Sequence, residues 1–308
     1  MDKWAATASE FRSHFGPFNV EFTKHAGDAI DIADAAAKSG RKFIIACGGD
    51  GTINEVANGI LGSGVDVELG VLPSGTGGDF RRTLGLVLTT REAAAALRDG
   101  SSRTIDAGRV TFQDFDGKTV SRYFLNVSSL GLAAHIIKRV KSAKVFDWVP
   151  HDAIRGKANF AFSTLREVLD ITPDNIRVRI DGGEERTIQT INFCVANSRF
   201  FGGGMMIAPD AKLNDGLLDI VNIGDISTAK ILLNAYTLYR GTHQRLDEVK
   251  SMTAGRIEVS AADPSDEILL ETDGEMPGKL PATFEIVPNA IRVRVPAGAG
   301  WHVRGGSV

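Results

Sequence analysis

The sequence predicts two domains, an N-terminal α/β domain built on a parallel sheet and a largely antiparallel β domain after it. Three observations carry this. Short apolar runs alternate with helical periodicity through the first hundred residues, and from about residue 104 the hydrophobic period drops to two. Two of the early apolar runs also open directly into glycine-rich loops, as strands do when they feed a ligand site. With 308 residues the chain is long enough for two cores.

The first third reads as a helix from Ala26 to Lys38 stopped by Ser39-Gly40, a strand at 42–47, a helix at 53–61, a strand at 68–72 and a helix at 90–99. Thr89-Thr90-Arg91-Glu92 offers the last helix a capping box. The period-2 runs that follow are 176–180, 188–195, 217–223, 256–260, 268–271, 283–287 and 291–295, with helices near 157–169 and 226–239. Asp181-Gly182-Gly183-Glu184 signals a hairpin. The expected boundary separates residues 1–105 from 106–308, the C-terminal strand returning to the first domain, with a cleft shared between the two.

The densest chemical signal is Gly48-Gly49-Asp50-Gly51-Thr52-Ile53-Asn54-Glu55, directly after Phe43-Ile44-Ile45-Ala46-Cys47. Thr52 reads as an N-cap with Glu55 completing a capping box, and Ile53, Val56, Ala57, Ile60 and Leu61 share one helical face. Backbone N–H groups at a glycine-rich turn and a helix start suit phosphate. A carboxylate there makes sense beside a metal ion or a substrate hydroxyl; the bland alternative is a solvated turn residue. A second unit, Leu69 to Leu72 followed by Pro73-Ser74-Gly75-Thr76-Gly77-Gly78-Asp79-Phe80, repeats the strand-to-loop pattern.

Together these loops resemble the diacylglycerol kinase catalytic-domain family, which includes soluble bacterial lipid kinases and the sphingosine and ceramide kinases. The G-G-D-G turn is similar, more distantly, to that of NAD kinases and phosphofructokinases, so an N-terminal fold of that kind is implied. Phe124-Leu125-Asn126-Val127 through Gly131, Gly203-Gly204-Met205 with Pro209 and Ala211, Lys212 to Asp219, and Asp273-Gly274-Glu275 continue the family's motifs in order. Two departures stand out. Gly78 replaces the Asn usual in the second loop, and the chain opens with a polar, helix-like stretch where family members have an apolar strand and an N-P-x-x-G phosphate loop. Residues upstream of Met1 are therefore expected to belong to the functional protein, or part of the phosphate cradle is missing.

The resemblance implies an ATP- and Mg2+-dependent lipid kinase acting on a hydroxyl of diacylglycerol or a related lipid. It implies Glu275, with Asp273, as proton acceptor; in a strand-like stretch such i and i+2 side chains share a face. The inferred nucleotide contacts are Thr23, Gly49, Asp50, Gly51, Thr52, Ile53, Asn54, Glu55 and Thr76, Asp50 holding Mg2+ directly or through water. A structural magnesium site is implied at Asp215 with the backbone carbonyls of Lys212 and Leu217, although Asn-Asp-Gly is also ordinary turn chemistry. The competing readings are a kinase of a soluble hydroxyl, as in NAD kinases, and a nucleotide-binding regulator without turnover.

Composition bounds the partners. A net charge of −3 gives no global basic field for nucleic acid, so phosphate binding must come from local backbone geometry. Cys47 and Cys194 both lie in apolar runs and read as reduced core residues of a cytoplasmic protein. No signal peptide is visible, and no apolar run approaches the ~20 residues that span a bilayer. Contact with a lipid substrate is then peripheral, and homo-oligomerisation stays open. Lys138, Arg139, Lys141 and Lys144, followed by Phe146 and Trp148, form either a docking segment for anionic lipid or a solvated helix face beside two core aromatics. Docking predicts salt-sensitive sedimentation with anionic vesicles, reduced when the four cations become Gln; indifference of the unaltered protein to such vesicles at low salt would reject it.

Overall fold

A computed structural model describes residues 2–73, 78–86, 90–142, 164 and 166–297. The chain divides into two compact units: residues 1–107, 212–215 and 287–308 form unit 1, and 108–211 with 216–286 form unit 2.

In unit 1, helix α1 (Asp2–Phe15) precedes an extended stretch, followed by α2 (Asp28–Lys38), β1 (Phe43–Gly48), α3 (Asp50–Ser63), β2 (Glu68–Pro73), α4 (Asp79–Thr83), α5 (Thr90–Asp99) and the start of β3 (Ser101–Gln113). β1 pairs in parallel with β2, and Glu68 and Leu69 of β2 pair in parallel with Arg292 and Val293. Phe11, Leu72, Ala93, Ala94 and Leu97 form a core between α1, α5 and the strands, with Phe15, Phe18 and Phe43 against it. The apolar face of α3 buries Ile53, Val56, Ala57 and Ile60 as the periodicity predicts. It lies tightly on α2: a Cβ on Gly59 would stand 2.3 Å from the Ile30 carbonyl oxygen, so only glycine allows the approach.

Unit 2 contains β4 (Thr119–Phe124), β5 (Val127–Gly131), α6 (Leu132–Ser142), β6 (Asp174–Ile180), β7 (Arg186–Thr190), β8 (Asn192–Ala196), β9 (Phe200–Phe201), β10 (Met205–Met206), β11 (Leu218–Ile223), α7 (Thr228–Arg240), β12 (Val249–Ala254), β13 (Arg256–Ala261), β14 (Leu269–Thr272) and most of β15 (Glu275–Val295). Its strands lie in the order β12-β11-β8-β5-β14-β15-β13-β6-β7, every neighbouring pair antiparallel. Phe112, Phe124, Phe193 and Phe284 are fully buried in its core, Phe124 meeting Phe284 edge-on at 6.5 Å. Each such ring contributes about 2–3 kcal/mol by burial.

Several expectations change on folding. The run at 188–195 is two strands, because the chain bends at Ile191 so that β7 pairs with β6 while β8 sits between β5 and β11. The runs 283–287 and 291–295 are one strand instead. Asn289 takes the left-handed region (φ 51°), and its N–H is held by the Asp106 carboxylate at 2.8 Å, so the strand continues through it. Thr23, an expected nucleotide contact, is exposed in a stretch without helix or strand. Cys47 is exposed rather than buried, since strand alternation turns Ala46 inward and Cys47 outward. Cys194 is buried, and burial pushes its thiol far above the usual range. Both cysteines are free. The capping box starting at Thr89, the helix near 157–163, and Lys144, Phe146 and Trp148 lie outside the described residues. Arg139 is ion-paired with Glu167, which removes one charge from the proposed docking cluster.

The parallel pairing of β2 with the end of β15 is reinforced by a buried ion pair. Arg294 Nε donates to Glu68 Oε1 at 2.7 Å, Glu68 is only 5% exposed, and the guanidinium holds its carboxyl below the usual range. The pair therefore stabilises fully above the ordinary carboxylate value of about 4.3 and loses that stabilisation as pH falls through the folded value. Glu68→Gln should cost about 2 kcal/mol at neutral pH and flatten the acid limb of the stability curve. Urea unfolding at pH 7 and pH 4 checks this; equal midpoints for the two proteins at pH 7 would contradict it.

Candidate active site

In unit 1 the first glycine-rich turn lies between β1 and α3. The helix starts at Asp50, two residues before the expected cap: Gly49 is the N-cap, in extended conformation, with no side-chain capping bond. The capping box at Thr52 and Glu55 is thus absent. Glu55 reaches instead to the start of α2, where its oxygens accept the N–H groups of Gly27 at 2.9 Å and Ala29 at 3.2 Å. Gly48 is required because the first turn of α3 folds back on it; a Cβ there would meet Thr52 at 2.6 Å. The α3 N-terminus is left without a side-chain cap, so the backbone N–H groups of Gly51 and Thr52 are the donors this turn offers an anion.

The Asp50 carboxylate is turned toward the second glycine-rich loop. One carboxylate oxygen accepts N–H bonds from Gly78 at 2.8 Å and Asp79 at 3.1 Å, and the other accepts from Phe80 at 3.1 Å. Those are the N-cap and first turn of α4, so Asp50 ties the first glycine-rich loop to the second. Of the other expected contacts, Ile53 is buried in the core, Asn54 accepts the Asn58 amide at 3.0 Å, and Thr76 lies outside the described residues.

Unit 2 repeats the device. Asp273 and Gly274 have φ values of 48° and 88° and connect Thr272 to its cross-strand partner Glu275, making a two-residue hairpin of the Asp-Gly type. Asp273 and Glu275 therefore do not stand as i and i+2 on one strand, because Asp273 is itself a turn residue. Asp273 is 8% exposed, and its carboxylate accepts three consecutive N–H groups, Leu125 at 2.8 Å and Asn126 and Val127 at 3.0 Å each. A carboxylate so engaged positions the hairpin against the 125–127 segment. Glu275 is half-exposed, and Arg122 approaches its carboxylate at 3.2 Å.

Sequence reasoning missed Glu271, two residues before Asp273. It is buried in β14, accepts the Ser129 hydroxyl, and receives the Gly274 N–H at 2.6 Å, so a second carboxylate braces the same turn. Its signal was a lone acid ending an apolar run. Around it Ser128 bonds the Glu271 carbonyl at 2.7 Å, and Ser198 donates to the Asn126 side chain at 2.9 Å. Asp215 lies exposed in a turn after Leu213, whose carbonyl accepts the Asp106 N–H at 2.6 Å. Among the described residues no cluster of three His, Cys, Asp or Glu side chains is placed to hold a metal.

Comparison with known proteins identifies the class, a phosphotransferase with a hydroxyl acceptor. The family profile for the diacylglycerol kinase catalytic domain matches residues 2–110, and that for the YegS C-terminal NAD kinase β sandwich-like domain matches 128–295. A diacylglycerol kinase of Mycobacterium tuberculosis is 32% identical over 88% of this chain and 82% of its own length. One from Bacillus subtilis is 30% identical over 89% and 84%. A protein of Chromohalobacter salexigens named "Probable lipid kinase YegS-like" is 29% identical over 76% and 67%. The crystal structure of a diacylglycerol kinase from Bacillus anthracis superposes with a TM-score of 0.69 at 20% identity, covering 96% of this chain and 93% of that one. The chain belongs to the diacylglycerol kinase catalytic-domain family.

The two carboxylate ties predict a stability signature. Asp273→Asn keeps the shape but leaves at least one of three buried N–H groups without an acceptor, costing about 2–4 kcal/mol. Asp50→Asn should cost somewhat less, its surroundings being half-buried. Thermal unfolding of both variants beside Glu275→Gln tests the ranking; an Asp273→Asn protein as stable as Glu275→Gln would show that the tie is dispensable.

Proposed function

We propose that the protein is an ATP- and Mg2+-dependent lipid kinase that phosphorylates a hydroxyl of diacylglycerol or a related lipid. The observation that carries this reading is the division of labour in the Asp-Gly-Glu hairpin. Asp273 is consumed by three backbone donors, which leaves Glu275 as the hairpin carboxylate open to a substrate. A half-exposed carboxylate directly after a braced turn suits proton acceptance from an alcohol.

When bound, ATP with Mg2+ supplies an activated phosphoryl group whose charge the ion partly neutralises. The chain's own part is positioning. The uncapped start of α3 offers N–H groups to phosphate oxygens, and Asp50 keeps the second glycine-rich loop in register with it. Glu275 takes the hydroxyl proton as the acceptor oxygen bonds to phosphorus, and the bridging oxygen departs with ADP. Arg122 keeps that carboxylate oriented. For magnesium, one exposed carboxylate at Asp215 and the nearby carbonyls of Lys212 and Leu217 are hard oxygen donors of the kind the ion prefers, waters completing its shell.

With labelled ATP, Mg2+ and dispersed diacylglycerol, the protein should yield labelled phosphatidic acid. Glu275→Gln should lower kcat by ~10²-fold or more, with nucleotide affinity and unfolding temperature unchanged. Near-normal turnover in that variant would remove Glu275 as the base.

A further inference from the structure

Arg81 and Arg82 are neighbours in α4 with different employment. Arg82 Nη1 donates to the Asp79 carboxylate at 2.9 Å. The Arg81 guanidinium is half-buried and makes no hydrogen bond or ion pair among the described residues. It lies folded over Gly78: a Cβ on that glycine would sit 2.4 Å from Arg81 Nε and 2.9 Å from its Cδ.

Position 78 is where the family resemblance expects Asn. Gly78 has φ 70°, in the left-handed region that Asn enters more readily than most residues. The backbone therefore does not exclude an amide side chain here, but the arginine stands in its space and would have to move. A permanently charged group partly withdrawn from water needs a counter-charge. The nearby carboxylates are committed, Asp79 to Arg82 and Asp50 to the N–H groups of residues 78–80. Those N–H groups are committed too, so among the described residues of this loop the Arg81 guanidinium is an unspent donor.

We propose that Arg81 substitutes for the amide missing at position 78 and donates to a phosphate oxygen of the bound nucleotide. This rests on the nucleotide-binding reading above. A charged donor gains much of its strength from the phosphate's charge. The contact should therefore favour ATP and ADP while leaving the nucleoside portion indifferent.

Calorimetric titration with ATP and with adenosine, alongside thermal unfolding, tests it on the intact chain and three variants. Arg81→Gln should weaken ATP binding about 10-fold or more and leave adenosine binding and unfolding temperature unchanged. Gly78→Asn should weaken ATP binding by displacing the arginine. Gly78→Asn/Arg81→Ala should regain part of the loss, because the amide then has room. Full ATP affinity in Arg81→Gln overturns the proposal, as do equal losses for ATP and adenosine or losses that simply multiply in the double variant. An unaltered protein that binds no nucleotide removes the functional reading and this proposal together, whereas one that binds ATP with indifferent Arg81 variants removes this proposal alone.

Discussion

The structure depends most on one interaction made twice, a single aspartate collecting three consecutive backbone N–H groups. Asp50 gathers those of residues 78–80 and Asp273 those of 125–127. Only a carboxylate fits, since it brings several acceptor sites and no donor, whereas an amide turns an N–H against one of the three. Each buried N–H without a partner would cost about 1–3 kcal/mol. The identity of these residues is thus fixed by backbone geometry before any chemistry is asked of them.

That constraint explains how acidic residues come to lie in loops whose glycines and free N–H groups favour anions. Asp50 spends acceptor capacity on the N–H groups that open α4. Glu55 and Glu271 do the same for other backbone segments, the start of α2 and the Asp-Gly turn. These four carboxylates serve as architecture, whereas Glu275 makes an ion pair with Arg122 at the half-exposed start of β15.

Much of this was legible in the sequence and some was not. Helices α2, α3, α5 and α7 and most strands announced themselves through period, because burial of one face is a local property of the chain. The Asp-Gly dipeptide at 273–274 also marked a turn. What could not be read was which carboxylate bonds to what. Glu55 looked like a local cap because Thr52 stands three residues before it, yet its donors lie on a helix earlier in the chain. Asp273 and Glu275 looked like partners on one face because the Asp-Gly turn was read as strand. Asn289 hid the continuity of β15, since its left-handed backbone is sustained by Asp106, 183 residues away.

The closing of β2 by β15 has a consequence for how the chain acquires its shape. Glu68 and Arg294 are 226 residues apart. Synthesis and folding proceed from the N-terminus, and pairings this distant are entropically slow. The strand that leads into the second glycine-rich loop therefore keeps an unpaired edge until nearly all of the chain has been made. During that interval nascent unit 1 presents an apolar strand edge of the kind chaperones shield and aggregates recruit.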